Sequence, residues 1–539
     1  MSDSDPEKTQ EYGYSKEKGY QEPGHGYGQG PALVTEDHGA DSELQRRLST
    51  RHITMIALGS SIGMGLWLGS GLSLASGGPA GIFIGYLLSG SMIWSVSHSI
   101  GEMAVMYPLP SAFVQWTNKF VDPAAGFTLG WAYWFSFWIT IANELQGVVT
   151  VLGFWTDAVP TAAWISIFWV VIICINIGAV NVFGEIEVIC SMIKFGWIFV
   201  VIISCIVISA GGAPNESAIG FRYWNSTPFI NGFKGFLSVM PTCIFAMSGS
   251  ENAGLVAAET ANPRKSVPKA VGSIWLRLSL FYIMGSLMVT ITVSPTDPNL
   301  FGGEGTNASP FVIAYRNAGI PAMAHIMNAI ILISVLSTGS ISGYAGSRTL
   351  VGLSQIGMAP KQMRKADSWG RPWYGLVPTL VIGGGLAYLN VSNTGSTVFG
   401  WFSNLTSLCT LFGWGMICLS HIRMRRAWKV QGRSKEDLPW RTWTWPWGAY
   451  WGLFWCVLLI IAEFYLSVWP LGEPTTAKNF FANYVSVVAI IVIYIAAKIY
   501  YRDRRWVDTA TVDLDAGRRF YKAEEVCTTK LEVTMCGYG

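Results

Sequence analysis

The stretch Gly59-Ser60-Ser61-Ile62-Gly63-Met64-Gly65, followed by Gly69 and Gly71, lies inside an apolar run spanning about 52–75. A glycine in a helix interior costs about 1 kcal/mol against alanine, so this spacing predicts an unwound stretch halfway along a helix. A second interruption, Met247-Ser248-Gly249-Ser250-Glu251-Asn252-Ala253-Gly254, falls in the sixth apolar run and carries a carboxylate. Backbone groups freed by such breaks cannot face hydrocarbon, so they must line a cavity or be buried in protein. Two Gly-interrupted helices five runs apart point to an inverted repeat with its binding site between the breaks. Close helix packing through small residues is the alternative reading of either break alone.

The chemistry such breaks offer is specific. A half-helix N-terminus presents unpaired N–H groups and the positive end of the helix dipole, which suits a carboxylate. Carbonyls at the facing half-helix C-terminus suit an ammonium. A zwitterionic α-amino acid carries both groups.

Composition places these runs in a membrane. The chain is 51% hydrophobic and only 13% charged, where a soluble protein carries about a quarter charged residues. Roughly 20 apolar residues cross the ~30 Å hydrocarbon layer. Twelve runs qualify, at about 52–75, 79–106, 124–153, 161–180, 185–210, 232–257, 271–294, 320–350, 374–392, 396–420, 447–470 and 479–501. The third and eighth are long enough to imply tilt or projecting ends. Residues 1–45 are rich in Gly, Glu, Gln, Tyr, Ser and Pro and read as a disordered tail. They contain no signal-peptide pattern. The nine cysteines lack metal-ligand spacing and are expected to form no disulfides.

Basic residues set the orientation. Arg46, Arg47 and Arg51 precede the first run; Arg264, Lys265 and Lys269 follow the sixth; Lys361, Arg364, Lys365 and Arg371 follow the eighth. Arg423, Arg425, Arg426, Lys429, Arg433 and Lys435 follow the tenth, and Arg502, Arg504 and Arg505 the twelfth. The opposite loops hold little beyond Arg222 and Lys478. All clusters share one side only if twelve helices cross and both termini are cytoplasmic. The basic residues thus serve topology rather than a nucleic-acid face. On this topology Asn215 and Asn225 head outer-loop glycosylation triplets, although such triplets also arise by chance.

Ionisable residues at membrane depth are functional candidates by default. Four stand out: Glu102 ending the second run, Glu144 in the third, Lys194 in the fifth and Glu251 in the sixth. Lys194 sits between Met192-Ile193 and Phe195-Gly196-Trp197, too deep to snorkel. It reads as a group that gains and loses a proton, its ammonium filling a cation site. The alternative is a fixed ion pair with Glu251 or Glu144. Glu251 is a second proton acceptor, and Glu102, near the cytoplasmic end, suits a structural or gating role equally.

From about 46 to 505 the chain resembles the fungal amino-acid permeases of the amino-acid/polyamine/organocation superfamily. The resemblance rests on Arg51-His52-Ile53-Thr54-Met55-Ile56-Ala57-Leu58-Gly59, Gly101-Glu102-Met103-Ala104 and Phe120-Val121-Asp122-Pro123-Ala124. It extends through Gly220-Phe221-Arg222-Tyr223-Trp224, Glu259-Thr260-Ala261-Asn262-Pro263-Arg264-Lys265, Ser309-Pro310-Phe311 and Ser420-His421-Ile422-Arg423. It implies an all-α polytopic membrane fold of twelve transmembrane helices, a LeuT-type five-plus-five inverted repeat with two extra helices. The first repeat would span about 52–210, the second 232–420 and the extra helices 447–501, with a cytoplasmic tail at 506–539. It also implies proton symport at the plasma membrane.

By the same resemblance, Ser60, Ser61, Gly63 and Met64 receive the substrate carboxylate. Phe245, Ala246, Ser248 and Gly249 receive the α-ammonium, with Phe245 as an aromatic gate. Lys194 matches a lysine that replaces sodium in proton-coupled relatives, Glu251 a glutamate tied to proton or substrate sensing. Ser337, Thr338 and Ser340 should lie near Lys194 and the pocket, and tail lysines Lys8, Lys16 and Lys18 are candidate acceptors for a ubiquitin ligase. Relatives usually read Gly-Thr-Gly-Leu-Phe where this chain has Gly63-Met64-Gly65-Leu66-Trp67, and often carry Asn near Ser340-Ile341-Ser342. Both departures border the pocket and leave the side-chain class open. Glu144-Leu145, Phe154-Trp155 and Trp164-Ile165-Ser166-Ile167-Phe168-Trp169 lean towards the branch that carries basic amino acids.

Other function classes fare worse. No P-loop implies ATP, and no paired Asp or His-Glu-x-x-His motif implies an intramembrane enzyme. No cofactor or metal is expected. The occluding design disfavours a channel. An amino-acid sensor with the same pocket, or a permease for a polyamine or GABA, stays open beside amino-acid import.

Overall fold

A computed structural model describes residues 55, 59, 62–109, 111–215, 217–251, 263–302, 308–392, 394–472, 474–502 and 506–520. Ser60, Ser61, the N-terminal tail with its lysines, and residues 252–262 lie outside them. Every regular element among the described residues is helical. In chain order these are α1 (Met64–Trp67), α2 (Gly69–Met106), α3 (Ala112–Phe120), α4 (Pro123–Leu152), α5 (Thr161–Ile177), α6 (Val180–Ser209), α7 (Arg222–Ser226) and α8 (Gly232–Met247). There follow α9 (Pro263–Thr292, π-helical over Leu278–Met284), α10 (Pro310–Asn317), α11 (Pro321–Gln355), α12 (Trp373–Ala387), α13 (Gly395–Val430), α14 (Trp447–Val468) and α15 (Ala477–Tyr500).

Nine helical segments of the described residues are long and apolar enough to cross a membrane. The twelve expected runs relate to these in a simple way. The 38-residue α2 joins the end of the first run to the whole second run across a kink at Gly78 (φ 76°) followed by Pro79. A side chain at Gly78 would meet the backbone of Ile230 and Pro228 at 2.9 Å, so only glycine fits this turn. The apolar helices α5 and α8, of 17 and 16 residues, are short for a crossing. α8 stops at Met247, ten residues before the expected end of its run, because Ser248 turns extended and Gly249 takes φ 90°.

The helices associate in two groups. α1, α2, α8 and α9 pack together, and α4, α5, α11 and α12 form the other group. α6 bridges α9 and α11, while α13 touches both α4 and α8. The most extensive contacts join α4 to α11 and α2 to α8. Lipid offers no hydrophobic gain for such packing, so close backbone approach supplies it through dispersion. A Cβ on Gly65 would lie 2.7 Å from Ala246 Cα, so α1 and α8 are in backbone contact.

Charge closes one end of the molecule. Glu102 of α2 is 1% exposed and accepts from His421 Nε2 (3.0 Å), Arg425 Nη2 (2.8 Å) and the Thr442 amide (2.9 Å). Removing one partner of such a buried cluster costs about 3–5 kcal/mol; its geometry makes Glu102 a structural knot.

The C-terminal segment, expected only as a tail, docks on this end through 506–520. Arg519 N–H donates to Met106 O (3.0 Å), Val507 N–H to Val121 O (3.0 Å) and Tyr107 Oη to Leu514 O (2.7 Å). Arg433 forks onto Asp515 at 2.9 and 2.5 Å, and Lys119 donates to the Ala516 carbonyl. Composition cannot reveal this, because the segment holds one buried anchor, Leu514.

Two outcomes are expected. Gly65→Val should wedge α1 from α8 at a cost of about 1–3 kcal/mol, read as a lowered thermal midpoint of the purified protein; an unchanged midpoint would deny the contact. Asp515→Arg should expose 506–520 to trypsin, and adding Arg433→Glu should restore protection.

Candidate functional site

Between the two helix groups lies a cavity lined by α1, α4, α8 and α11 and by the residues that follow α8. Gly63, Gly65, Phe245, Ala246, Ser248, Gly249, Glu144, Glu251 and Thr338 line it, with Tyr133, Ser136, Phe137, Thr140, Ile341 and Ser342. The structure thus brings most of the singled-out residues to one place. The α4 stripe Tyr133, Ser136, Phe137, Thr140 and Glu144 escaped sequence reasoning except at Glu144. Its spacing of three and four residues puts one polar face on an otherwise apolar helix, and that signal was available.

The first break is built from three sides. Ile62 and Gly63 are non-helical, Gly63 at φ −137°, ψ −151°. The Ile62 carbonyl accepts from Ser334 Oγ (2.7 Å) and Thr338 Oγ1 (2.9 Å) of α11. The Gly59 carbonyl accepts from Lys194 Nζ (3.0 Å). The freed Met64 N–H donates to both Glu144 carboxylate oxygens, at 3.3 and 3.1 Å. Carbonyls therefore meet hydroxyls and an ammonium, while the amide meets a carboxylate. Each freed group finds the partner a hydrocarbon surround demands.

This changes the expectation for Met64. Its amide, anticipated as a donor to a substrate carboxylate, is held by the chain's own carboxylate from α4. Gly63 leaves room for that bond, since a Cβ there would lie 2.5 Å from Glu144 Oε1.

Lys194 is fully buried and sits behind the cavity rather than in its wall. Besides Gly59 it donates to Ser337 Oγ (3.0 Å) and Thr338 Oγ1 (3.4 Å). Ser337 in turn donates to Glu187 Oε2 at 2.5 Å. Neither Glu144 nor Glu251 forms an ion pair with Lys194 among the described residues. The fixed pair weighed from sequence is replaced by a relay through Ser337 to Glu187. Glu187 was missed because it lies near the start of its run beside Glu185, where a charge reads as solvent-facing.

Ser340 takes neither expected position. Its Oγ and carbonyl accept from Asn176 Nδ2 of α5, both at 3.2 Å. Helical spacing explains this: Thr338, Ile341 and Ser342 share the cavity face, and Ser340 falls about 200° from Thr338.

The second break has its own supports. Glu251 Oε2 accepts from the Gly249 amide (3.0 Å), and Oε1 lies 3.5 Å from Tyr133 Oη. Tyr282 Oη donates to the Ala246 carbonyl (2.8 Å), and Ser248 Oγ meets Thr410 Oγ1 of α13 at 3.1 Å. Ala246's carbonyl is therefore engaged by protein. Phe245 packs edge-on against Phe399 (5.8 Å, 81°), which meets Phe301 in the same way (5.5 Å, 80°).

The cavity wall holds two carboxylates, Glu144 and Glu251, and no Lys, Arg or His among its lining residues. With a hydroxyl-rich wall and an aromatic lid, it has the polarity to hold a small cation or zwitterion.

Comparison with known proteins gives the family. The sequence profile of the amino acid permease family matches residues 52–509. An uncharacterised amino-acid permease of Schizosaccharomyces pombe is 42% identical over 500 residues, covering 91% of this chain and 86% of that protein. A second S. pombe protein, named cationic amino acid transporter 1, is 39% identical over 91% of this chain and 84% of its own length. An amino-acid permease of Candida albicans is 40% identical over 89% of this chain and 80% of its own. These relatives are transporters rather than enzymes, and the chain belongs to the amino acid permease family.

Proposed function

We propose that this chain imports amino acids by proton symport, binding them between the breaks within the first and sixth apolar runs. The observation that carries the coupling is the Glu144 carboxylate on the Met64 amide. A helix start favours an anion, and it accommodates one carboxylate at a time. Protonation of Glu144 weakens its hold on that amide and frees it for the substrate carboxylate. The proton and the amino acid then bind together, and both leave together when Glu144 returns to Met64.

The remaining assignments follow from position. Gly63 and Met64 form the carboxylate side, to which the resemblance adds Ser60 and Ser61. Phe245, Ser248, Gly249 and Glu251 form the ammonium side, with Phe245 as lid. Lys194, held by Gly59, Ser337 and Thr338, fills a cation site that ties α6 to the first break, and Glu187 sets its charge balance. Twelve crossings with cytoplasmic termini, in two repeats at about 52–210 and 232–420, fit the packing of the third run (α4) on the eighth (α11). The two helix groups would rock about the cavity, in the plasma membrane.

Two carboxylates facing a cavity without a basic side chain favour a cationic substrate. One balances the α-ammonium, the other a basic side chain or the coupled proton. The name of the cationic transporter from S. pombe points the same way. A polyamine would also satisfy two carboxylates but leaves the Met64 amide without a substrate carboxylate; amino-acid sensing through the same pocket would need no net uptake.

Uptake of a radiolabelled panel of basic and neutral amino acids, GABA and spermidine into proteoliposomes tests this reading. An imposed inward proton gradient should drive accumulation of amino acids, basic ones foremost; accumulation indifferent to the gradient would overturn symport. Glu144→Gln should reduce gradient-driven accumulation at least about tenfold, roughly 1.4 kcal/mol of lost coupling, while substrate exchange persists. Lys194→Ala should abolish accumulation, because it removes the charged hydrogen bonds that join the Gly59 carbonyl to Ser337, about 1.5–3 kcal/mol each; undiminished accumulation would remove Lys194 from the coupling machinery.

A further inference from the structure

A second pocket lies away from the transport cavity, where the ends of α5 and α11 meet the starts of α6 and α12. Asn176, Phe183, Tyr344, Ser347, Arg348 and Arg371 line it. Arg348 is half-buried, seven residues before the end of α11. Its guanidinium carbon lies 3.3 Å over the Tyr344 ring, which stacks on Phe183 at 4.6 Å and 5°. Among the described residues no carboxylate comes within ion-pair distance of Arg348.

Arg371, on the other wall, is fixed by Asp367 through Nε (2.7 Å) and Nη2 (2.6 Å), and it also donates to the Ile177 carbonyl. Burial opposes ionisation of Asp367, but hydrogen bonds from Arg371, Trp373 and Trp369 outweigh it and hold the carboxyl at about 2. One negative charge thus offsets Arg371, and Arg348 is left unbalanced. A cation–π stack returns only about 0.5–2 kcal/mol and supplies no counter-charge.

The surroundings specify the missing anion. Ile177, Val182, Trp369, Tyr374 and Val377, on the elements around the pocket, are exposed apolar or aromatic side chains, as an interfacial belt requires. Lys361 and Lys365 are exposed in the adjoining loop, on the side that the charge bias assigns to the cytosol. Paired guanidinium groups recognise phosphate by bidentate hydrogen bonds, and basic pockets between helices at the cytoplasmic interface suit lipid headgroups.

We propose that this pocket binds the phosphate headgroup of an anionic inner-leaflet phospholipid between Arg348 and Arg371. Its acyl chains lie along the exposed faces of α6 and α12. The bound phosphate neutralises Arg348 and fastens the ends of α5, α6, α11 and α12 to one another.

A photoreactive phosphatidylinositol phosphate, with its diazirine beside the headgroup, tests this on the full chain in phosphatidylcholine vesicles. Labelled peptides should fall within 176–183, 344–348 and 369–376, and unlabelled anionic lipid should compete. Labelling elsewhere overturns the site. Competition by inorganic phosphate at equal concentration overturns the lipid in favour of a soluble anion. Arg348→Gln should cut labelling about tenfold, with Arg348→Lys retaining part because it keeps charge but loses the fork; wild-type labelling of Arg348→Gln, in protein that remains monodisperse, refutes the role of Arg348.

Discussion

Lys194 donates to the carbonyl of Gly59, Ser334 and Thr338 donate to that of Ile62, and Glu144 accepts from the amide of Met64. These groups are buried where the helix is interrupted at Ile62 and Gly63, so they need partners within the protein. The break therefore exists only where α4, α6 and α11 supply the matching donors and acceptor. That requirement fixes the position of three helices against the first apolar run. It also explains the order of layers: the cavity faces Glu144 and Thr338, and Lys194 stands behind Thr338, out of the cavity wall.

The same bonds run between two groups of helices. α1 meets α8 through backbone contact at Gly65. Their polar partners on α4 and α11 belong to the other group. Contacts between the groups combine hydrogen bonds of modest net strength, about 0.5–1.5 kcal/mol each, with apolar packing of Met64 and Leu66 in one cluster with Val148 and Val335. Contacts within a group are close-packed and resist separation. On the face carrying the basic clusters, the Glu102 knot and the docked segment 506–520 join α2, α3 and α13.

Much of this was legible in residue order. The glycine-interrupted runs, the carboxylate at Glu251 and the isolated Lys194 stand out against apolar neighbours, because polar residues within about 20 apolar ones are costly and few. Each expected run has a helix among the described residues, although α8 ends at Met247 where the run continued. What residue order hid was direction. Ser337, Thr338 and Ser340 read as equivalent hydroxyls, yet a helix turns about 100° per residue and sends them to three neighbours. Glu187 and Arg348 lie near helix ends, where a charge attracts no notice, and only packing reveals that one is buried and the other stacked on Tyr344.

The sequence by itself determined that the chain spans a membrane through many helices, that glycines interrupt two of its apolar runs, and that Glu144, Lys194 and Glu251 lie within such runs. Those properties depend on local composition and on the cost of polar groups in hydrocarbon, which is additive along the chain. Only the tertiary structure decided which group answers which. Met64 faces Glu144 across 80 positions of sequence, and Lys194 reaches Gly59 across 135. The first break, expected to offer its amide to a ligand, therefore offers it to Glu144, because a freed N–H takes whichever acceptor the packed helices bring within 3.1 Å.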